Sequence, residues 1–296
     1  MEARLLEGTL VRGIGSFYTA VTAEGEAHTL RCKKKFRYRG LTPMVGDRVR
    51  FLPGSGEEEG WLEEILPRRS QFVRPPVSNV TLMLLTVCPE PAPDLMLVDR
   101  LLVECRRQDI RSVLVAAKLD QGGELAEELR AQYAGAEAEV LAVSARTGEG
   151  LDALRQAMEG EICCFAGQSG VGKSTLINTL LGLDLETGEI SRKIARGKNT
   201  TRRAELLTSG GLTVLDTAGF SLLEVSGLMD PVTLREWYPE FLPYEGHCRF
   251  APCLHDREPG CAVTEACAGG EIDPRRLARY RELLQDIRQA WRDRYD

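Results

Sequence analysis

The run Gly167-Gln168-Ser169-Gly170-Val171-Gly172-Lys173-Ser174 restricts the fold of this chain more than any other segment. It fits the pattern G-x-x-x-x-G-K-[ST], and its surroundings suit that pattern: Ile162–Ala166 reads as an entering strand and Thr175–Leu181 as a departing helix. The glycines let the backbone curl until several N–H groups point at one phosphate, while the helix N-terminus adds partial positive charge. Such a loop needs a buried strand beneath it. Val80–Cys88, Ser112–Ala116, Glu139–Val143 and Leu212–Leu215 are further short apolar runs. Between them lie amphipathic stretches such as Asp94–Gln108, where Leu95, Val98, Leu101, Leu102 and Cys105 recur at helical spacing. The alternation predicts a parallel α/β sheet.

Four other segments specify which nucleotide. In the loop, Lys173 reaches toward the β- and γ-phosphates, Ser174 is placed to ligate Mg²⁺, and Thr175 closes the cradle. Asp216-Thr217-Ala218-Gly219 supplies D-x-x-G: Asp216 holds Mg²⁺ through water and the Gly219 N–H senses the γ-phosphate. Within Gly197-Lys198-Asn199-Thr200-Thr201, Thr201 is the first choice for completing the Mg²⁺ shell and Thr200 the second. Upstream, Ala116-Ala117-Lys118-Leu119-Asp120 resembles N-K-x-D. A carboxylate at Asp120 accepts from guanine N1–H and the 2-amino group; adenine offers an acceptor there, so ATP is rejected. The stem of Lys118 is expected across the base plane. Val143-Ser144-Ala145-Arg146 resembles S-A-K, whose backbone N–H meets guanine O6. Ala117 stands where the pattern has Asn, removing a neutral hydrogen bond of about 0.5–1.5 kcal/mol. Guanine-reading segments therefore precede the phosphate loop, the reverse of the ordinary order. Circular permutation of the same sheet produces this arrangement.

Residues 1–66 read differently. Leu10–Ile14, Ser16–Thr22, Ala27–Arg31, Asp47–Leu52 and Gly60–Ile65 are short strands with turn punctuation, which suits an OB-type β-barrel. The chain carries a net charge of −6, yet residues 31–50 hold eight basic residues and one acid, and residues 191–203 six and none. Lys33, Lys34, Lys35, Arg37 and Arg39 alternate with Phe36 and Tyr38, a mixture of cations and stacking surfaces that suits RNA. Residues 67–76, ending Arg74-Pro75-Pro76, read as a linker. The permuted domain then occupies 77–229, and a mainly helical domain occupies 230–296, closing with a helix over Pro274–Tyr295.

Cys248-x4-Cys253-x-His255-x5-Cys261 offers three thiolates and an imidazole, a regular set for one structural zinc. His247 and Cys267 are alternative ligands. Cys32, Cys88, Cys105, Cys163 and Cys164 are scattered and read as small buried residues. No run approaches the ~18 apolar residues of a membrane helix, and the first residues lack a secretory apolar region. A cytoplasmic protein without disulfides is expected.

The sequence resembles the RsgA (YjeQ) family of small ribosomal subunit biogenesis GTPases. The resemblance runs along essentially the whole chain and is most specific at Gly167–Thr175 (GQSGVGKST), Asp216–Phe220 (DTAGF) and Cys248–Val263 (CRFAPCLHDREPGCAV). It implies a multidomain architecture: an N-terminal OB domain, a central circularly permuted P-loop GTPase domain and a C-terminal zinc domain. It implies GTP hydrolysis to GDP with Mg²⁺, binding to the 30S subunit through 16S rRNA near the decoding centre, and stimulation by that subunit. Other 30S maturation factors are further partners; a monomer with no membrane attachment is expected. Phe220 stands where Ras-like proteins carry a water-orienting Gln, so intrinsic hydrolysis is expected to be slow. Asn199 occupies the position where members of the family usually have His, a residue suited to aligning water. Two other readings explain the phosphate loop: an RNA-binding module clamped by nucleotide, and a kinase or ATPase with a zinc appendage. Ser174→Ala is expected to weaken Mg²⁺-nucleotide binding and hydrolysis with the fold intact, and unchanged turnover in a steady-state assay would refute the assigned role.

Overall fold

A computed structural model describes residues 5–38, 40–55, 58–73, 75–183, 204–217 and 229–294. The side chains of Lys34 and Arg37, and all of Arg39, Asn199, Thr200, Thr201, Gly219 and Phe220, lie outside the described residues. The chain divides into two units. One comprises Met1–Leu84, Asp152–Ala166 and Lys173–Leu222; the other comprises Leu85–Leu151, Gly167–Gly172 and Leu223–Asp296.

The first unit opens with five strands: β1 (Leu6–Ile14), β2 (Phe17–Val21), β3 (Ala27–Cys32), β4 (Arg48–Leu52) and β5 (Gly60–Ile65). They pair in the order β1-β2-β3-β5-β4, and β4 returns to β1 to close the barrel. All these pairings are antiparallel except β3–β5. Period-two burial explains the closure, since Leu10, Ala20, Leu30, Val49, Phe51 and Leu62 point inward to one core. Irregularities at Leu10/Arg12 and Arg50/Phe51 bend the strands where the barrel curves. This is the OB-type barrel the turn spacing predicts. One element is additional: the basic run forms a short helix, α1 (Lys34–Tyr38), which buries Phe36 against the barrel core.

Past the barrel, β6 (Gln71–Phe72), in the segment read as a linker, pairs with β7 (Val77–Ser78) just beyond it. Its approach is pinned by Arg68, whose Nε and Nη2 donate to Asp47 Oδ1 and Oδ2 at 2.7 and 2.8 Å. Asp47 is fully buried and also accepts from Ser78 Oγ and Met44 N, so this charge is satisfied on every side.

The next strand, β8 (Leu82–Val87), is buried along its whole length. Its first half belongs to the first unit, beside β11 (Ile162–Ala166), with β13 (Leu212–Thr217) parallel to β11. An unforeseen strand, β12 (Ala204–Ser209), runs antiparallel to β13 and meets β1 at Arg12↔Glu205. Two helices serve this part, α4 (Leu151–Met158) and α5 (Lys173–Leu181). Arg155 donates to the carbonyls of Leu180 and Thr179, satisfying acceptors that the end of α5 leaves open.

The second unit contains the other half of β8, then α2 (Leu95–Arg107), β9 (Arg111–Ala116), α3 (Glu124–Gln132) and β10 (Glu139–Ala142), with β9 and β10 parallel. It continues through 3-10 segments at Pro231–Trp237 and Pro239–Tyr244 to α6 (Ala262–Ala268) and α7 (Pro274–Asp293). Asp273 caps α7 through Arg275 N, and Pro274 fits the first turn. Among the described residues no helix is long and apolar enough to cross a membrane.

An ionic cluster ties these helices together. Asp99 on α2 has no exposure, and it receives Tyr133 Oη on Oδ1 at 2.6 Å and Arg279 Nε on Oδ2 at 2.7 Å. Arg276, also buried, lies 2.6 Å from Asp99 Oδ1, donates to Glu240 at 2.7 Å, and covers the Tyr238 ring at 4.3 Å. Removing one partner of a buried pair strands the other charge, at a cost of about 3–5 kcal/mol. Asp99→Ala is therefore expected to lower stability by that order in urea unfolding; a loss under 1 kcal/mol would show that the pair is not holding the helices.

Candidate nucleotide-binding and metal sites

The phosphate loop owes its path to glycine. Gly167, Gly170 and Gly172 have φ of +144°, +83° and +99°, where an L side chain is strained. At Gly167 the space is closed as well, since a Cβ would collide with the carbonyl oxygen of Thr86 on β8. Val171 is fully buried and anchors the middle of the turn. Gln168 turns sideways: its Oε1 accepts from Asp94 N at 2.8 Å and its Nε2 donates to the Ala92 carbonyl at 3.1 Å. The loop is thus held by backbone packing and by an amide bridge to the start of α2. Ser169 is exposed within the loop, and Lys173 begins α5 with Ser174 and Thr175 exposed on its first turn.

The base-reading segments meet because β9 and β10 are parallel neighbours in register, Ala116 opposite Ala142. Side chains at the ends of adjacent parallel strands come together, as the strand pattern predicts. Ala117 is buried and donates its N–H to the Val87 carbonyl. Lys118 adopts the left-handed conformation, φ +60° and ψ +40°, and its Nζ donates to the Glu90 carbonyl at 2.6 Å. Leu119 N donates to the Val143 carbonyl, locking one strand end to the other. Asp120 accepts from Ser144 Oγ at 2.6 Å, and Arg146 Nε sits 2.9 Å from its second oxygen. The Ser144 hydrogen bond, followed by the Arg146 charge, holds the Asp120 carboxyl below the usual range. Ser144 is buried, and its Oγ also accepts from Thr147 N, so Ala145 and Arg146 lie in a tight turn. Sequence reasoning did not reveal the contacts of Arg146 or Glu90; Arg146 carried one signal, a cation directly after Ser144-Ala145.

Asp216 and Thr217 are the described part of D-x-x-G. Burial, then the charge of Glu205 opposite it in β12, raises the Asp216 carboxyl above the ordinary value. A cation held at that strand end would favour the ionised form. Glu205 was missed because β12 itself was not recognised.

Among the described residues, Cys248, Cys253, His255 and Cys261 form a potential metal-binding cluster, with their ligand atoms all within 4.8 Å of one another; His247 and Cys267 stand outside it. His255 Nδ1 lies 3.4 Å from Cys261 Sγ and 3.7 Å from Cys248 Sγ. Zinc bonds of ~2.3 Å to sulfur and ~2.0 Å to nitrogen at tetrahedral angles put N and S about 3.5 Å apart. The donor set and spacing fit one zinc ion. His255 can aim Nδ1 inward because it takes φ +57°; burial, then Arg235, lowers its pKa and favours the neutral ring that binds metal. Burial pushes the Cys253 thiol up to about 12, so a cation is needed to draw out its thiolate. The loop around the cluster is supported from α7. Tyr280 Oη donates to the Leu254 carbonyl at 2.7 Å and Arg281 Nε to the His255 carbonyl at 3.2 Å. Glu258 accepts from the backbone N–H of Leu254, Asp256 and Arg257. None of these supports was identifiable from spacing.

In the barrel, the described members of the basic run face carboxylates. Lys33 and Lys35 share Glu63, Arg31 faces Glu59, Arg48 faces Glu7, and Arg50 faces both Glu7 and Glu64. Arg31 also lies over the Phe17 ring at 5.2 Å.

Comparison with known proteins decides the affiliation. Residues 65–226 match the RsgA GTPase model and residues 7–62 the RsgA N-terminal domain model. The chain belongs to the RsgA GTPase family. It is 43% identical over 293 residues to the small ribosomal subunit biogenesis GTPase RsgA of Ruminiclostridium cellulolyticum, covering 95% of each chain. The RsgA of Moorella thermoacetica is 42% identical over 290 residues, 95% of this chain and 97% of the relative. Among solved structures, YjeQ from Thermotoga maritima superposes with a TM-score of 0.79 at 29% identity, over 96% of this chain and 99% of that one. YloQ, described as a circularly permuted GTPase, gives 0.77 at 26% identity, over 97% and 96%. As an RsgA-type GTPase, the chain has the permuted α/β architecture that its motif order implies, between an OB-type barrel and a helical C-terminal region.

Metal analysis of the purified chain is expected to find about one zinc, lost in Cys253→Ser together with a lower melting temperature. A metal-free wild-type chain with full stability would remove the structural role from the cluster.

Proposed function

We propose that this GTPase acts late in assembly of the small ribosomal subunit, binding 16S rRNA near the decoding centre and hydrolysing GTP when the subunit stimulates it. The observation that carries the reading is the Asp120–Ser144 pair at adjoining strand ends. It presents a carboxylate of guanine-reading type in a chain similar end to end to proteins named small ribosomal subunit biogenesis GTPases.

In this reading the residues divide the work. Asp120 accepts from guanine N1–H and the 2-amino group, Ser144 fixes that carboxylate, and the Ala145 backbone N–H meets O6. The stem of Lys118 borders the base, next to Ala117 and Leu119. Backbone N–H groups of Gly167 to Thr175 surround the phosphates, and Lys173 neutralises charge developing between the β- and γ-phosphates. Magnesium, held by Ser174 and Thr201 and through water by Asp216, would spread that charge over the phosphate oxygens. Gly219 responds to the γ-phosphate. Asn199 orients the attacking water; being unable to take a proton, it leaves intrinsic turnover slow, and Phe220 adds no help.

Functional regions follow the chain: a barrel over 1–66 that meets RNA with Lys33, Lys34, Lys35, Arg37 and Arg39, a linker over 67–76, the GTPase over 77–229 and the zinc region over 230–296. The protein works in the cytoplasm as a monomer, alongside other maturation factors. Because the segment after Gly219 runs directly into the zinc region, loss of the γ-phosphate is positioned to change how that region sits on the subunit.

Steady-state hydrolysis with and without purified 30S subunits tests this, with ATP as control. Stimulation of at least tenfold for GTP and none for ATP is expected. Equal rates with and without subunits would refute the coupling.

A further inference from the structure

The carboxylate of Asp120 is already engaged on both oxygens. Ser144 Oγ donates to Oδ1 at 2.6 Å from a buried position, and Arg146 Nε sits 2.9 Å from Oδ2. These two partners differ in kind. Ser144 is held by its own turn, with Thr147 N on its Oγ and Glu149 O on its N–H, so its bond is a fixed support. Arg146 is 75% exposed and comes from solvent, whereas Asp120 shows only 14% of its side chain. Arg146 therefore lies on what little open face Asp120 has. Its guanidinium is planar and presents N–H donors to a carboxylate in the same way as the N1–H and 2-amino edge of guanine.

We propose that Arg146 is a built-in competitor of the guanine base, occupying Asp120 in the nucleotide-free chain and leaving when the base enters. This rests on the reading of Asp120 as the guanine acceptor. Arg146 then sets how fast and how tightly the site takes guanine nucleotide, while Ser144 stays in place throughout. An exposed ion pair is weak, so the barrier it adds is small and readily displaced, a guard that slows capture without preventing it. It also keeps the carboxylate paired when no base is present.

Stopped-flow binding of fluorescent methylanthraniloyl-GDP to the full chain with Mg²⁺ tests the proposal. Arg146→Met keeps an unbranched stem and deletes the donors; because the residue is exposed, the fold is expected to be retained. Association is expected to be about two- to fivefold faster and affinity higher by a similar factor. The same substitution is then made in Asp120→Asn, whose amide should prefer xanthosine diphosphate, and there it should change nothing. Unchanged or weaker GDP binding by Arg146→Met overturns the competitor role. Weaker binding in both backgrounds would show instead that Arg146 grips the bound nucleotide. If Asp120→Asn fails to move preference from GDP to xanthosine diphosphate, the base-reading assignment itself falls, and the proposal with it.

Discussion

A carboxylate with no access to water sets the terms for the second unit. Asp99 needs partners at such a buried position, and Tyr133 at the end of α3 and Arg276 and Arg279 on α7 supply them. Arg276 is then drawn to Glu240 and between two aromatic rings, so four chain segments converge on one point. The same helix α7 supports the cysteine–histidine loop through Tyr280 and Arg281. A loop too polar to form a core is therefore fastened from one side by hydrogen bonds, with a metal suited to fastening it from the other. Guanine-reading strand ends, metal-ligating loop and this polar hub all belong to one unit.

The nucleotide machinery depends on a second constraint, the close approach of backbone to backbone. Gly167 allows the phosphate loop to rest on the Thr86 carbonyl, and Leu119 and Val143 join the two base-reading strand ends. Neither contact needs a reactive side chain. Permutation changes the order in which these pieces are made but leaves their local geometry dependent on strand ends and glycines, which is why the motifs survive it.

Much of this was legible in the sequence, for reasons specific to each part. The phosphate loop combines a fixed glycine spacing with a strand and a helix, so its place was unambiguous. The barrel strands showed because Val49 and Phe51 alternate with the exposed Arg48 and Arg50. The cysteine–histidine cluster was clear because its four donors are near in sequence. β12 was not, because Ala204–Ser209 is half-buried and follows a run of cations. Asp99 looked like any acid on an amphipathic helix; its burial depends on partners far along the chain, Arg276 and Arg279. Asp120 and Ser144, 24 residues apart, could be read as parts of one base site because successive strands end at both, but the hydrogen bond between them could not. Arg146 had no such rule to reveal it.

The sharing of Glu63 by Lys33 and Lys35 has a bearing on any polyanion that meets the barrel. A free surface cation sheds dissolved counterions from the nucleic acid it touches, and that release makes binding fall steeply with salt, by about 0.9 powers of concentration per phosphate contact. Here the lysines carry an internal counterion. Phosphate must displace a carboxylate that stays tethered to the protein and remains near the new contact. The response to salt is then shallower than eight cations suggest, and selection shifts toward backbones whose shape lets phosphate enter while Glu63 turns aside.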